Sequence, residues 1–117
     1  MNLENLVPPL KLCKRIPEGA FADSALVWSR RASRFAPHEW VIPRGYAAEV
    51  SDIAPAPTLA EIMPECGNPF YMWNDGKGWE VFCPANLKVL RNYDPNPATA
   101  ALKLWLELEG VNHDKIF

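Results

Sequence analysis

Twelve prolines in 117 residues set the tightest limit on how this chain folds. Proline fixes φ, removes a backbone donor, breaks helices and leaves sheet ladders unpaired. Only part of the chain can therefore be regular structure, in short segments punctuated by turns. The length suits one domain spanning residues 1–117. Five Trp, five Phe and three Tyr supply enough bulk for a core at this size.

The segment Val7–Pro17 predicts a short helix. Its prolines Pro8 and Pro9 stand at the start, where a missing N–H costs nothing. Ile16 precedes Pro17 and so leaves the helical region, which stops the helix. Ser24–Arg30 and Glu39–Ile42 predict a first hairpin with its tip at 31–37. Residues 53–57, Ile-Ala-Pro-Ala-Pro, predict an extended connector. Thr58-Leu-Ala-Glu61 matches a capping box: the threonine starts a short helix and Glu61 reaches back to the Thr58 N–H.

Residues 69–74 and 79–83 predict a second hairpin around Asp75-Gly-Lys-Gly78, whose glycines supply positive φ. Its register, and hence the face on which Tyr71, Trp73, Trp79 and Val81 lie, stays open. Residues 87–91 are a candidate further strand. Asn96 as cap, Pro97 at the first helical position and Gly110 as terminator predict a C-terminal helix. Ala98, Ala101, Leu102, Trp105, Leu106 and Leu108 follow its period, with Lys103 and Glu107 outward. The expected fold class is α+β: an antiparallel sheet of about four to five strands, built from two hairpins, against a C-terminal helix with two short helices.

No apolar run is long enough to span a bilayer, and no basic region precedes an apolar one at the N-terminus. Cys13, Cys66 and Cys83 are an odd number without paired spacing, which predicts reduced, mostly buried thiols and a cytoplasmic protein. Cys66, beside Gly67, reads as the most exposed of the three. Neither these cysteines nor His38 and His113 fall at metal-ligand spacing, so no metal is expected. There is no nucleophile elbow, and no local partner orients either histidine. The 75–78 glycines lack the strand-loop-helix setting of a phosphate loop. Neither a catalytic residue nor a cofactor is expected.

A formal charge of −2 disfavours a general nucleic-acid binder. Charge is uneven all the same: seven Lys/Arg face five Asp/Glu before position 51, and five face nine after it. The basic residues meet aromatics in the first hairpin. Trp28, Arg30, Arg31, Arg34 and Trp40 form the candidate binding set, since arginines beside exposed rings stack on bases or anchor a protein partner. The competing reading pairs Trp28 with Trp40 across the strands in the core and leaves the arginines as a solvated tip.

Several segments together, Leu6–Lys14, Asp23–Trp28, Ala54–Ile62 and Asn96–Leu108, resemble small hypothetical proteins encoded by bacteriophages and prophages, especially of gut bacteria. The matching pieces are caps, strand cores and a packing helix. The resemblance implies a setting, a phage protein acting inside a bacterial host cell, and brings no site residues with it. The resulting expectation is a non-enzymatic binding protein that engages a host protein, interference with a defence system being one such role. The alternative is sequestration of a nucleotide-like molecule or nucleic acid by the Trp/Arg-rich hairpin.

Overall fold

The proline-bounded segments fold into two three-stranded sheets and short helical turns, with one longer helix at the end of the order. The computed structural model describes residues 3–31, 38–45, 51–67, 69–85 and 88–110, with backbone alone at Arg31, His38, Ser51, Ala85 and Lys88. A 3-10 turn at Leu3–Leu6 leads to α1 (Leu10–Cys13). Pro9 caps α1 in an extended conformation, and a turn after Cys13 ends the helix ahead of Pro17. The helix expected across 7–17 is thus a single turn.

β1 (Leu26–Arg31), β2 (His38–Pro43) and β3 (Ser51–Pro55) form an antiparallel sheet in the order β2-β1-β3. The chain then makes α2 (Leu59–Ile62) and a second 3-10 turn, Met63–Cys66. A second antiparallel sheet follows, β4 (Tyr71–Asn74), β5 (Trp79–Ala85) and β6 (Lys88–Asp94), in simple meander order. Finally α3 (Pro97–Leu108) packs against β5, β6, α2 and the Met63–Cys66 turn. The class is α+β as expected, but with six strands in two separate sheets rather than four to five in one. The hairpins do not join, because each recruits a third strand of its own.

Prolines sit in strands only where no ladder bond is lost. Pro43 ends β2 and Pro55 ends β3, and both of these are edge strands. Pro84 lies in the central strand β5, but β4 pairs with β5 only as far as Phe82. Beyond that point β5 pairs with β6 alone, and an edge is a setting in which a strand proline is tolerated.

The second hairpin turns as its residues require. Asp75 Oδ1 accepts the N–H groups of Lys77 and Gly78 at 2.8 Å each, and Gly76 takes φ 92°. Gly78 has a different reason to be glycine: a Cβ there would lie 2.5 Å from the Tyr93 hydroxyl and 2.7 Å from its ring. Tyr93, across the sheet on β6, covers the bare backbone. Gly78→Ala is therefore expected to cost about 1–3 kcal/mol, the usual range for forced overpacking. Urea unfolding of Gly78→Ala, Tyr93→Ala and the double variant checks this. The alanine should cost much less once the Tyr93 ring is gone, and additive costs would contradict the clash.

α3 carries the core. Asn96 Oδ1 accepts from Ala98 N–H at 2.8 Å and Thr99 N–H at 3.1 Å, Pro97 opens the helix, and Gly110 takes φ 73° just past its end. Ala98 to Leu102 and Leu104 to Leu106 are all buried, a helix apolar almost all round and enclosed accordingly. Its least buried stripe is Lys103 and Glu107, as the spacing predicts. Lys103 Nζ donates to Asp94 Oδ1 at 3.2 Å, and Glu107 Oε1 accepts from Asn92 at 2.7 Å, which tie the stripe to β6.

Two side chains fasten the N-terminal segment between α3 and the first sheet. The Asn96 amide donates to the carbonyls of Asn5 and Val7, at 3.3 Å each. From the other side, Trp28 Nε1 donates to the Pro8 carbonyl at 3.0 Å. A third tie comes from the capping box. Glu61 Oε1 accepts the Thr58 N–H at 2.9 Å as predicted, while its second oxygen accepts the Ala25 N–H at 3.0 Å. One carboxylate thus starts α2 and anchors the entry to β1. Val7, Trp28, Ala54, Ile62, Val81 and Leu104 belong to one continuous hydrophobic cluster reaching both sheets.

Candidate binding surface

The first hairpin does not bring its two candidate tryptophans together. Trp28 lies opposite Val41 on β2 and Trp40 opposite Ser29, so the two rings project from opposite faces of the sheet. The cross-strand tryptophan pair is corrected accordingly. Trp28 is 9% exposed and held by Pro8, so it is a core residue. Trp40 is half-buried on the other face. Arg30 is exposed and forms an ion pair with Glu39, its cross-strand neighbour. Arg31 ends β1, and Arg34 lies outside the described residues.

An aromatic surface is instead built by the second sheet. Pairing of Tyr71 with Phe82, Trp73 with Glu80, Glu80 with Tyr93 and Phe82 with Arg91 puts these six residues on one face. The opposite face presents Val81 and Cys83 to the core, with Met72 and Leu90 packed beside them. Trp73 is 62% exposed, and Val89, Tyr71 and Tyr93 are exposed as well. The rings are ordered by contact: Tyr71 stacks on Phe82 at 5.0 Å between centroids, and the Arg91 guanidinium lies 5.1 Å above the same ring.

Charge on this face is neutralised within it. Arg91 Nη1 is 3.2 Å from Glu80 Oε1. The Tyr93 hydroxyl donates to Asp75, 3.2 Å from Oδ2. The Lys77 and Gly78 N–H groups, with that hydroxyl, hold the Asp75 carboxyl below its usual range. Desolvation and the bond to Asp75 push the Tyr93 phenol up, so it stays neutral at physiological pH. The result is a platform of Tyr71, Trp73, Phe82 and Tyr93, with Arg91 paired to Glu80 and the Asp75 carboxylate at its edge.

The concave features are of another kind. A cleft of about 690 Å³ lies between the 14–22 segment and β3. Two of its polar side chains have partners: Arg44 donates to the Ser24 carbonyl at 2.8 Å, and Asp52 accepts from Ser29 at 3.0 Å. Cys13 lines this cleft, yet burial pushes its thiol up to about 12. Burial raises Cys66 likewise to about 12, and this cysteine, expected to be the most exposed, is 3% exposed beneath α3. Among the described residues no three His, Cys, Asp or Glu side chains could hold a metal. No helix of the described residues is long and apolar enough to cross a membrane.

The buried thiols give an expected result. Iodoacetamide at pH 8 should leave Cys13 and Cys66 unmodified in the native protein and modify both in urea, as intact mass spectrometry would show. The linkage has a definite sign. Above pH 9 the unfolded chain loses thiol protons that the folded chain retains, so stability falls as pH rises toward 12. Rapid native alkylation would contradict the burial.

No family model, no curated protein and no solved structure matches this chain.

Proposed function

We propose that the chain is a non-enzymatic binding protein that engages a protein partner through the outer face of the second sheet. The observation that carries this is the exposure of Trp73 and Tyr71 beside Phe82, Arg91 and Tyr93 on one three-stranded platform. Aromatic and arginine side chains dominate the energetics of protein interfaces, whereas single exposed apolar residues are ordinary. Pairing of Arg91 with Glu80 leaves little to attract a phosphate backbone, so an apolar protein surface is the better complement. The resemblance to phage proteins makes a bacterial host protein the proposed partner, met in the cytoplasm, with interference in a defence system as one such role.

The second reading, a nucleotide base stacked on the same rings, is favoured only by Arg91 above Phe82. Photo-crosslinking from position 73 in host lysate separates the two. The expected product is one protein adduct, lost in Tyr71→Ala while the melting temperature holds. Adducts to nucleic acid alone, or equal protein adducts from a probe at exposed Lys14, would overturn the proposal.

A further inference from the structure

The outer face of the second sheet holds its side chains in two rows that run across the strands. Tyr71, Phe82 and Arg91 stand side by side in one row, and Trp73, Glu80 and Tyr93 in the other. Neighbouring strands lie about 4.8 Å apart, so the backbones bearing Trp73 and Tyr93, two strands apart, are separated by roughly 9.6 Å. A polyproline II helix rises about 3.1 Å per residue with three residues per turn, which sets residues i and i+3 about 9.3 Å apart on one edge. The two repeats agree when such a segment crosses the strands along the second row.

Hydrogen-bonding groups on the face agree with the spacing. The Trp73 indole N–H and the Tyr71 hydroxyl make no hydrogen bond among the described residues, and both side chains are exposed. The carboxylates, by contrast, are engaged. Glu80 accepts from Arg91 at 3.2 Å, and Asp75 accepts from the Lys77 and Gly78 N–H groups and from the Tyr93 hydroxyl. The open groups of the face are therefore able to donate. Proline carries a carbonyl and no N–H, and a polyproline II segment leaves its carbonyls without internal partners. A chain of acceptors that lacks donors is the complement of this surface. Charge points the same way, since the Arg91 and Glu80 pair is neutral and suits an uncharged ligand. The segment is also extended before it binds, which lowers the entropy cost of laying it on a shallow face.

We propose that the platform takes a proline-rich segment of a partner protein in the polyproline II conformation. The proposal rests on the reading of this face as a protein-binding surface and names the chemistry of the partner. Proline rings lie on Trp73 and Tyr93, while the Trp73 indole N–H and the Tyr71 hydroxyl donate to carbonyls of the segment.

The test is titration of the intact protein with a synthetic oligoproline peptide, followed by the Trp73 indole N–H resonance and the amides of residues 71–74, 79–82 and 89–94. A glycine–serine peptide of equal length is the control. Saturating shifts with oligoproline, and none with the control, are expected. Trp73→Phe keeps a ring and removes the N–H, so it should weaken the midpoint about fivefold, the scale of one hydrogen bond. Tyr71→Phe should weaken it to a similar degree, and Trp73→Ala should abolish saturation with the melting temperature unchanged. Shifts that never saturate, that the control reproduces, or that Trp73→Ala leaves in place would overturn the proposal. So would shifts that grow with protein concentration in the absence of peptide, which would put a second copy of the chain on the face. A protein adduct from position 73 in host lysate, with no response to oligoproline, would keep the binding surface and remove the proline-rich partner. Failure of both would remove both.

Discussion

Trp28→Ala is expected to lower stability by about 3–5 kcal/mol, the range for deleting a buried aromatic. Against the 5–15 kcal/mol typical of a whole domain, such a loss approaches unfolding. The ring is 9% exposed, and its N–H reaches the Pro8 carbonyl at 3.0 Å. Removing it opens a cavity where the first sheet meets the N-terminal segment. Cys13 donates weakly to the same Pro8 oxygen, at 3.5 Å, so the carbonyl keeps one partner. Trp28→Phe should therefore cost less, roughly 1–2 kcal/mol, because most of the ring volume remains. Urea unfolding followed by far-ultraviolet circular dichroism measures both. A cost below about 1 kcal/mol for the alanine would show that Trp28 lies at a surface.

The second large effect is a contrast along three consecutive residues of α3. Leu102→Ala and Leu104→Ala should each cost about 2–5 kcal/mol, while Lys103→Ala should cost under about 1 kcal/mol. Both leucines are 0% exposed, and the helix they belong to is enclosed by a sheet on one side and by α2 with its following turn on another. Neighbours fixed in regular structure cannot collapse fully into the space a truncated leucine leaves. Lys103 lies between them in sequence but on the outward stripe, in a part-exposed pair with Asp94. The same urea series decides the matter. Similar costs at all three positions would mean that α3 is loosely seated.

α3 was legible because cap, opening proline, periodicity and closing glycine agree over fourteen or so positions, and agreement between levels specifies structure. The capping box was legible for the same reason, although nothing local shows that the free oxygen of Glu61 reaches Ala25. β3 was hidden by Pro55 and Pro57. Those prolines read as a connector because the rule that admits proline to an edge strand depends on knowing which strands are edges.

The binding surface was harder still. Arginines and tryptophans crowd residues 28–40, but a strand's faces are assigned by register, and that register divides Trp28 from Trp40. In the second hairpin Glu80 held the missing signal. A charged residue between Trp79 and Val81 marks the solvent side, and alternation from it turns Phe82 outward. Pairing across the Asp75–Gly78 turn then places Trp73 and Tyr71 beside it.

Asn96 also bears on the order in which the molecule comes together. Its amide holds carbonyls 91 and 89 positions earlier in the chain, while its carbonyl oxygen nucleates the first turn of α3. Contacts of such high sequence separation form late and slow the search. On the ribosome, the segment made early must wait for one made some ninety residues afterwards. Until then Val7 and Pro8 are fastened from the Trp28 side alone, leaving apolar surface for a chaperone to guard.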